Sequence, residues 1–291
     1  VPALAQLLER TDVVGVVTQP DRPAGRGHKL TPTPVKAFAH ERGLAVFEPL
    51  KLRAFASDLA RLAPDILVVA SYGRIVPQAI LDVPARGIAF NIHPSLLPLY
   101  RGATPLQSAI RDGATETGVT IIAMDAGMDT GDILVQERTP LGPEETYGML
   151  HDRLAERGAA LLGDAIDALD RGALARVPQV AVAVAASEIE RTATRPLDKD
   201  DLRVDFAWPA KRIVDTIRSL APAPGARAAI EGESVKIVRA RLAQPGEPAL
   251  TVDGGLLVRA GDGASVAVLE LVPPNRGRMS GAAYARSAQP A

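Results

Sequence analysis

Asn91 and His93 stand two residues apart at the end of the apolar run GIAFNIH, directly before a stretch broken by Pro94, Pro98 and Gly102. Alternate residues of a strand point to the same side, so the two side chains aim at one spot. A neutral imidazole can take up a proton near pH 7, and an amide N–H can stabilise a developing oxyanion. Together they suit attack on a carbonyl carbon. Such an imidazole needs an orienting partner. Asp129, between Gly127 and Gly131, is one candidate, and Asp125 and Asp132 compete with it. Other chemistries find little support. Cysteine is absent, and the four histidines (His28, His40, His93, His151) lack HExxH spacing, so neither a thiol nucleophile nor a metal site is expected. No GxSxG, GxGxxG or Walker segment occurs.

The elements that must carry these residues read as α/β. ALAQLLER is an amphipathic helix leading into the strand VVGVVTQ. An α/β domain would open with a strand before that helix, so a first strand is expected to be missing from this sequence. QPDRPAGRGHKLTPTP reads as a loop, and Thr33 followed by Pro34 marks a helix start with Thr as N-cap. DILVVA and GIAFNI are continuous apolar runs suited to strands covered on both faces. Strands alternating with helices predict a Rossmann-like, doubly wound parallel sheet, with Asn91 and His93 at the carboxyl edge where such sheets bind ligands. A long helix with Met149, Leu150, Leu154, Leu161, Leu162, Ile166 and Leu169 recurring at helical spacing runs up to Gly172, and its apolar stripe reads as core packing. Domain boundaries follow at 1–172 for the catalytic domain, 173–200 for a linker and 201–291 for a small OB-like β-barrel of short strands and Gly turns.

The chain has 291 residues, 47% of them hydrophobic and 3% aromatic, so it can bury a large aliphatic core but has few rings for base stacking. Its net charge of -1 conceals a polarity: residues 203–291 carry net +4 and the remainder net -5. No run is apolar enough to span a bilayer, and no signal peptide is expected before the first element. A cytoplasmic monomer with neither membrane nor DNA partner is expected.

NIHPSLLPLYRGATPLQSAI and TGVTIIAMDAGMDTGDIL resemble the folate-dependent formyltransferases, and TQPDRPAGRGHKLTPTPVK resembles the inserted loop of their tRNA-specific branch, the methionyl-tRNA formyltransferases. The resemblance covers nearly the whole chain. It implies transfer of a formyl group from 10-formyltetrahydrofolate to the amino group of methionyl initiator tRNA, without a metal. It puts the family's catalytic Asn, His and Asp on Asn91, His93 and Asp129, and its folate-contacting segment on Ser95, Leu96, Leu97 and Pro98. The inserted loop would bring Arg26, flanked by Arg22 and Lys29, to the tRNA acceptor end. Relatives acting on an amino-sugar nucleotide share the signature, and the basic loop argues against them. A non-catalytic RNA-binding relative is the alternative from another class.

Overall fold

The computed structural model describes residues 1–24 and 29–288. The chain divides into two units, one built from residues 1–102, 118–138 and 153–193, the other from residues 103–117, 139–152 and 194 onward.

In the first unit, Pro2 opens helix α1 (Pro2–Arg10), where its missing N–H costs nothing. Strand β1 (Val16–Val17) follows, and then β2 (Arg22–Ala24) pairs antiparallel with β3 (Lys29–Thr31). The stretch expected to be loop is therefore partly a hairpin. Pro23 is tolerated because both strands of a two-stranded ribbon are edges. Helix α2 (Pro34–Glu41) starts as the sequence predicts, with the Thr33 hydroxyl accepting the Lys36 N–H at 3.2 Å. Strand β4 (Val46–Phe47) pairs parallel with β1, and Leu4, Val16 and Ala39 bury the core between these elements. Helix α3 (Ala56–Arg61), strand β5 (Leu67–Val69), helix α4 (Gln78–Leu81) and strand β6 (Ala89–His93) continue the alternation, with β6 parallel to β5.

The next strand corrects the expected topology. After the short helix α5 (Pro105–Arg111), β7 (Glu116–Ala123) runs antiparallel to β6, with Thr120 opposite His93 and Ala123 opposite Phe90. Strand β8 (Ile133–Pro140) completes the order β5-β6-β7-β8, so the sheet is mixed rather than parallel throughout. The chain leaves β6 at its carboxyl end and re-enters the sheet from that same end, because seven helical residues rise only about 10 Å and make no return crossing. Of the two apolar runs, Ala89 and Phe90 of β6 are buried whereas Leu67–Val69 of β5 are only half-buried, and neither run discloses strand direction. Helix α6 (Tyr147–Asp170) lies so close to one face that a Cβ at Gly158 would meet Ile92 and Val119. The opposite face is covered by Leu97 and Val182, which pack with Ile122 and Ile133. A 3-10 turn at Gln179–Ala181 and helix α7 (Ala186–Thr192) occupy what the sequence suggests is linker.

The second unit packs helix α8 (Ala210–Ser219) against an antiparallel sheet. Its strands are β9 (Ala226–Ile230), β10 (Glu233–Leu242), β11 (Leu256–Arg259), β12 (Ser265–Val272) and β13 (Met279–Ser280), followed by helix α9 (Gly281–Ala288). The order β11-β12-β10-β9, with β13 on β12, makes an open half-barrel around Ile213, Ile217, Val235, Ile237, Val266 and Tyr284. Arg218 binds the outlying segments to this core. Its guanidinium donates to the carbonyls of Ile110, Gly142 and Glu145 and to Asp215. Among the described residues no helix is long and apolar enough to cross a membrane.

Candidate active site

Asn91 and His93 share one face of β6, and the face is set by register: in an antiparallel pair, opposite residues point the same way. His93 sits opposite Thr120, and Thr120 fixes the loop that follows the strand. Its hydroxyl donates to the Ser95 carbonyl at 2.7 Å and accepts from the Leu97 N–H at 3.2 Å, while Gln136 donates to both Thr120 and the Leu97 carbonyl. The loop is thus held rigidly over the sheet.

That loop brings the Tyr100 carbonyl to 2.9 Å from His93 Nε2. A carbonyl can only accept, so Nε2 carries the hydrogen and the neutral ring has its lone pair on Nδ1. Nδ1 faces Asp129 Oδ2 at 3.5 Å. His93 is only 4% exposed, and burial pushes its imidazole below the usual histidine range. Arg101 adds to the lowering, whereas Asp129 and the Tyr100 carbonyl oppose it without overcoming it. The ring is neutral at pH 7, and a proton arriving on Nδ1 would be met by a carboxylate.

Asp129 is itself held in place. Its Oδ1 accepts from Asn91 Nδ2 at 3.3 Å, and its Oδ2 accepts from the Gly102 N–H at 2.9 Å. The loop that carries it departs from β7 at the level of Phe90, below His93, and turns back along the sheet face. This return uses Asp129 in the left-handed region (φ 55°), a conformation that Asp tolerates better than most residues but that still stores strain. Gly131 is required beside it, because a Cβ there would collide with the Ala123 carbonyl. The competing Asp125 is consumed by its own loop, accepting from the Gly127 N–H and the Thr130 hydroxyl.

Other expected site residues lie differently. The Ser95 hydroxyl donates to the Leu99 carbonyl at 2.7 Å, and Ser95 and Leu97 are buried. Leu96 packs over Gly118. Pro98 is buried as well. Arg22 is exposed on β2 and donates to Gln19 at 2.7 Å, and Lys29 opens β3. Arg26 lies outside the described residues. Two residues that the pattern did not single out touch the site. Gln179 donates to the Asp129 and Gly131 carbonyls and accepts from Arg101, and Thr192 accepts the Tyr100 N–H at 3.3 Å. Gln179 precedes the alternating run VAVAVA and Thr192 lies in the polar stretch ERTATRPLDKDD, and neither stretch carries a motif that marks them. Among the described residues no group of three or more His, Asp or Glu side chains converges as a metal-ligand set.

Comparison with known proteins identifies the family. Residues 3–166 match the formyl transferase family and residues 196–289 match the formyl transferase C-terminal domain. The methionyl-tRNA formyltransferase of Geobacter sulfurreducens is 42% identical over 291 residues, covering 97% of this chain and 89% of that protein. This chain belongs to the methionyl-tRNA formyltransferase family. The Myxococcus xanthus member of that family is 40% identical, covering 98% of this chain and 90% of its own length. Solved structures share the fold at lower identity. An N-formyltransferase from Helicobacter canadensis, in complex with folinic acid and dTDP-3-aminofucose, is 19% identical with a TM-score of 0.67 over 91% of this chain and 93% of its own. HypX from Aquifex aeolicus in complex with tetrahydrofolic acid is 20% identical with a TM-score of 0.61 over 84% of this chain, which spans 43% of the HypX polypeptide.

Proposed function

We propose that this chain transfers the formyl group of 10-formyltetrahydrofolate to the amino group of methionyl initiator tRNA. The observation that carries the reading is the juxtaposition of Asn91, neutral His93 and a strained Asp129 in a chain more than 40% identical to a named methionyl-tRNA formyltransferase. The amine attacks the formyl carbon in its neutral form, and a C–N bond forms as the carbonyl oxygen takes up negative charge. The second N–H of Asn91, not used by Asp129, donates to that oxyanion. His93 takes the amine proton on Nδ1, where Asp129 stabilises the imidazolium. The bond from carbon to the folate nitrogen then breaks, and that nitrogen leaves with a proton. Formyl-methionyl-tRNA and tetrahydrofolate result.

In this reading Ser95, Leu96, Leu97 and Pro98 shape the folate-side wall through their backbone, since the Ser95 hydroxyl is already engaged. Arg22, Arg26 and Lys29 meet the acceptor end of the tRNA, and Arg26 lies between the two hairpin strands in sequence. The C-terminal half-barrel is an OB-type scaffold whose net positive charge follows phosphates. Domain limits at 1–172, 173–200 and 201–291 and a cytoplasmic monomer complete the proposal.

The test offers labelled 10-formyltetrahydrofolate with methionyl initiator tRNA and, separately, an amino-sugar nucleotide. Label on the methionyl-tRNA, lost in His93→Ala, is expected. Label on the sugar nucleotide alone would keep the site chemistry and overturn the acceptor. Arg26→Ala should raise the KM for tRNA and leave the KM for the folate unchanged, and equal tRNA affinity at low and moderate salt would remove Arg26 from recognition.

A further inference from the structure

We infer that Gln179, in the segment linking the two family domains, is a positioning residue that sets the reactive orientation of Asp129. The inference rests on the reading of Asp129 as the partner of His93. Gln179 is 4% exposed and every hydrogen-bonding site of its amide is filled. Its two N–H groups go to the carbonyls of Asp129 and Gly131 at 2.8 Å each, and its oxygen accepts from Arg101 Nε at 3.0 Å and Nη2 at 2.7 Å. An amide can donate twice and accept twice, and no other uncharged side chain of similar reach does both.

The two carbonyls flank the strained turn. Asp129 is at φ 55°, and Gly131 is pressed against the Ala123 carbonyl. A strained residue persists only where its surroundings over-determine it. Asp129's side-chain bonds to Asn91 and the Gly102 N–H hold the carboxylate, but neither holds the peptide that must turn. Gln179 holds that peptide on both sides of Thr130 and ties it to Arg101, next to the Gly102 N–H that the carboxylate also uses. Without it the loop can relax from the left-handed conformation, and the carboxylate then moves away from Nδ1. Displacement of a reacting group by about 1 Å costs about 100-fold in rate.

The experiment measures kcat and KM for Gln179→Met in the wild-type and in the Asp129→Asn background, with folding verified by thermal denaturation. In the wild-type background kcat should fall about 10- to 100-fold with both KM values within about twofold. In the Asp129→Asn background the same substitution should change the residual kcat by less than about twofold, because a residue acting through a carboxylate has nothing to act on once it is gone. Val180→Ser, a neighbouring position that is 94% exposed, should keep the wild-type kcat. If Gln179→Met does not fold, Gln179→Glu, of the same shape, carries the same cycle. It retains the acceptor for Arg101 and sets a carboxylate oxygen against two carbonyls. A wild-type kcat in Gln179→Met, an equal loss in both backgrounds, or a matching loss in Val180→Ser would each overturn the inference. A wild-type kcat in Asp129→Asn alone would instead overturn the role of Asp129 on which it depends.

Discussion

Two buried polar clusters, one in each unit, differ in how completely they are satisfied. In the second unit Arg218 donates four hydrogen bonds, three to backbone carbonyls and one to Asp215, and Asp215 has Lys211 as a second partner. Four of the five guanidinium N–H groups are spent within the fold, and the cluster's effect is to anchor the 103–117 and 139–152 segments on α8. In the first unit the outer groups, Gln179, Thr120 and Gln136, are equally well bonded, yet the inner ones are not closed. His93 Nδ1 stands 3.5 Å from a carboxylate it cannot donate to while neutral, and Asn91 uses one of two N–H groups. Satisfied burial makes structure. Burial with a held-open donor and base, next to a strained residue, makes a site that can react.

Breaking the open cluster should cost function first. His93→Ala should lower kcat by about 100- to 10,000-fold, and Asn91→Ala by about 100-fold, the value of about 3 kcal/mol for one oxyanion donor. Steady-state formyl transfer measures both, and a wild-type kcat in either removes that residue from the chemistry. Breaking the closed cluster should cost stability instead. Arg218→Met leaves Asp215 buried with only an exposed lysine, and should destabilise the fold by about 3 kcal/mol in urea titrations while turnover per folded molecule is kept. A loss of kcat without a loss of stability would erase the contrast.

pH separates the clusters further. His93 is depressed by burial, so the base is lost only when pH falls through a value below the ordinary histidine range, and the midpoint of its imidazole followed by NMR across pH should lie below about 6.5. Asp129 raises the imidazole pKa, so Asp129→Asn should move that midpoint lower still. Stability follows the same sign. Between the two pKa values the unfolded chain binds a proton that the native ring refuses, so His93 contributes less stability as pH drops through about 6.5 toward its folded value. A midpoint above about pH 6.5 would contradict desolvation as the dominant cause. The smallest effect is expected at Thr33, where loss of the helix cap in Thr33→Ala should cost about 1 kcal/mol with turnover unchanged.

What could be read from the sequence was what neighbours in the chain encode. Asn91 and His93 share a face because strand periodicity is two, and Thr33 before Pro34 announces a helix start. Glycines around Asp129 signalled a turn but left three acidic residues open, and the register that selects among them is tertiary. The direction of β7 was hidden because burial on both faces follows from what covers a strand, here α6 on one side and the 94–100 loop on the other. Gln179 was hidden for a similar reason, its contacts lying 50 and 78 positions away while the residues around it form no motif.

The most direct test of the central claim is the nitrogen NMR spectrum of His93 in protein labelled with 15N at the imidazole nitrogens, assigned by loss of its signals in His93→Ala. At pH 7 the ring should be neutral, with hydrogen on Nε2 and a bare Nδ1. A hydrogen on Nδ1 with Nε2 bare, or a fully protonated ring, would contradict it.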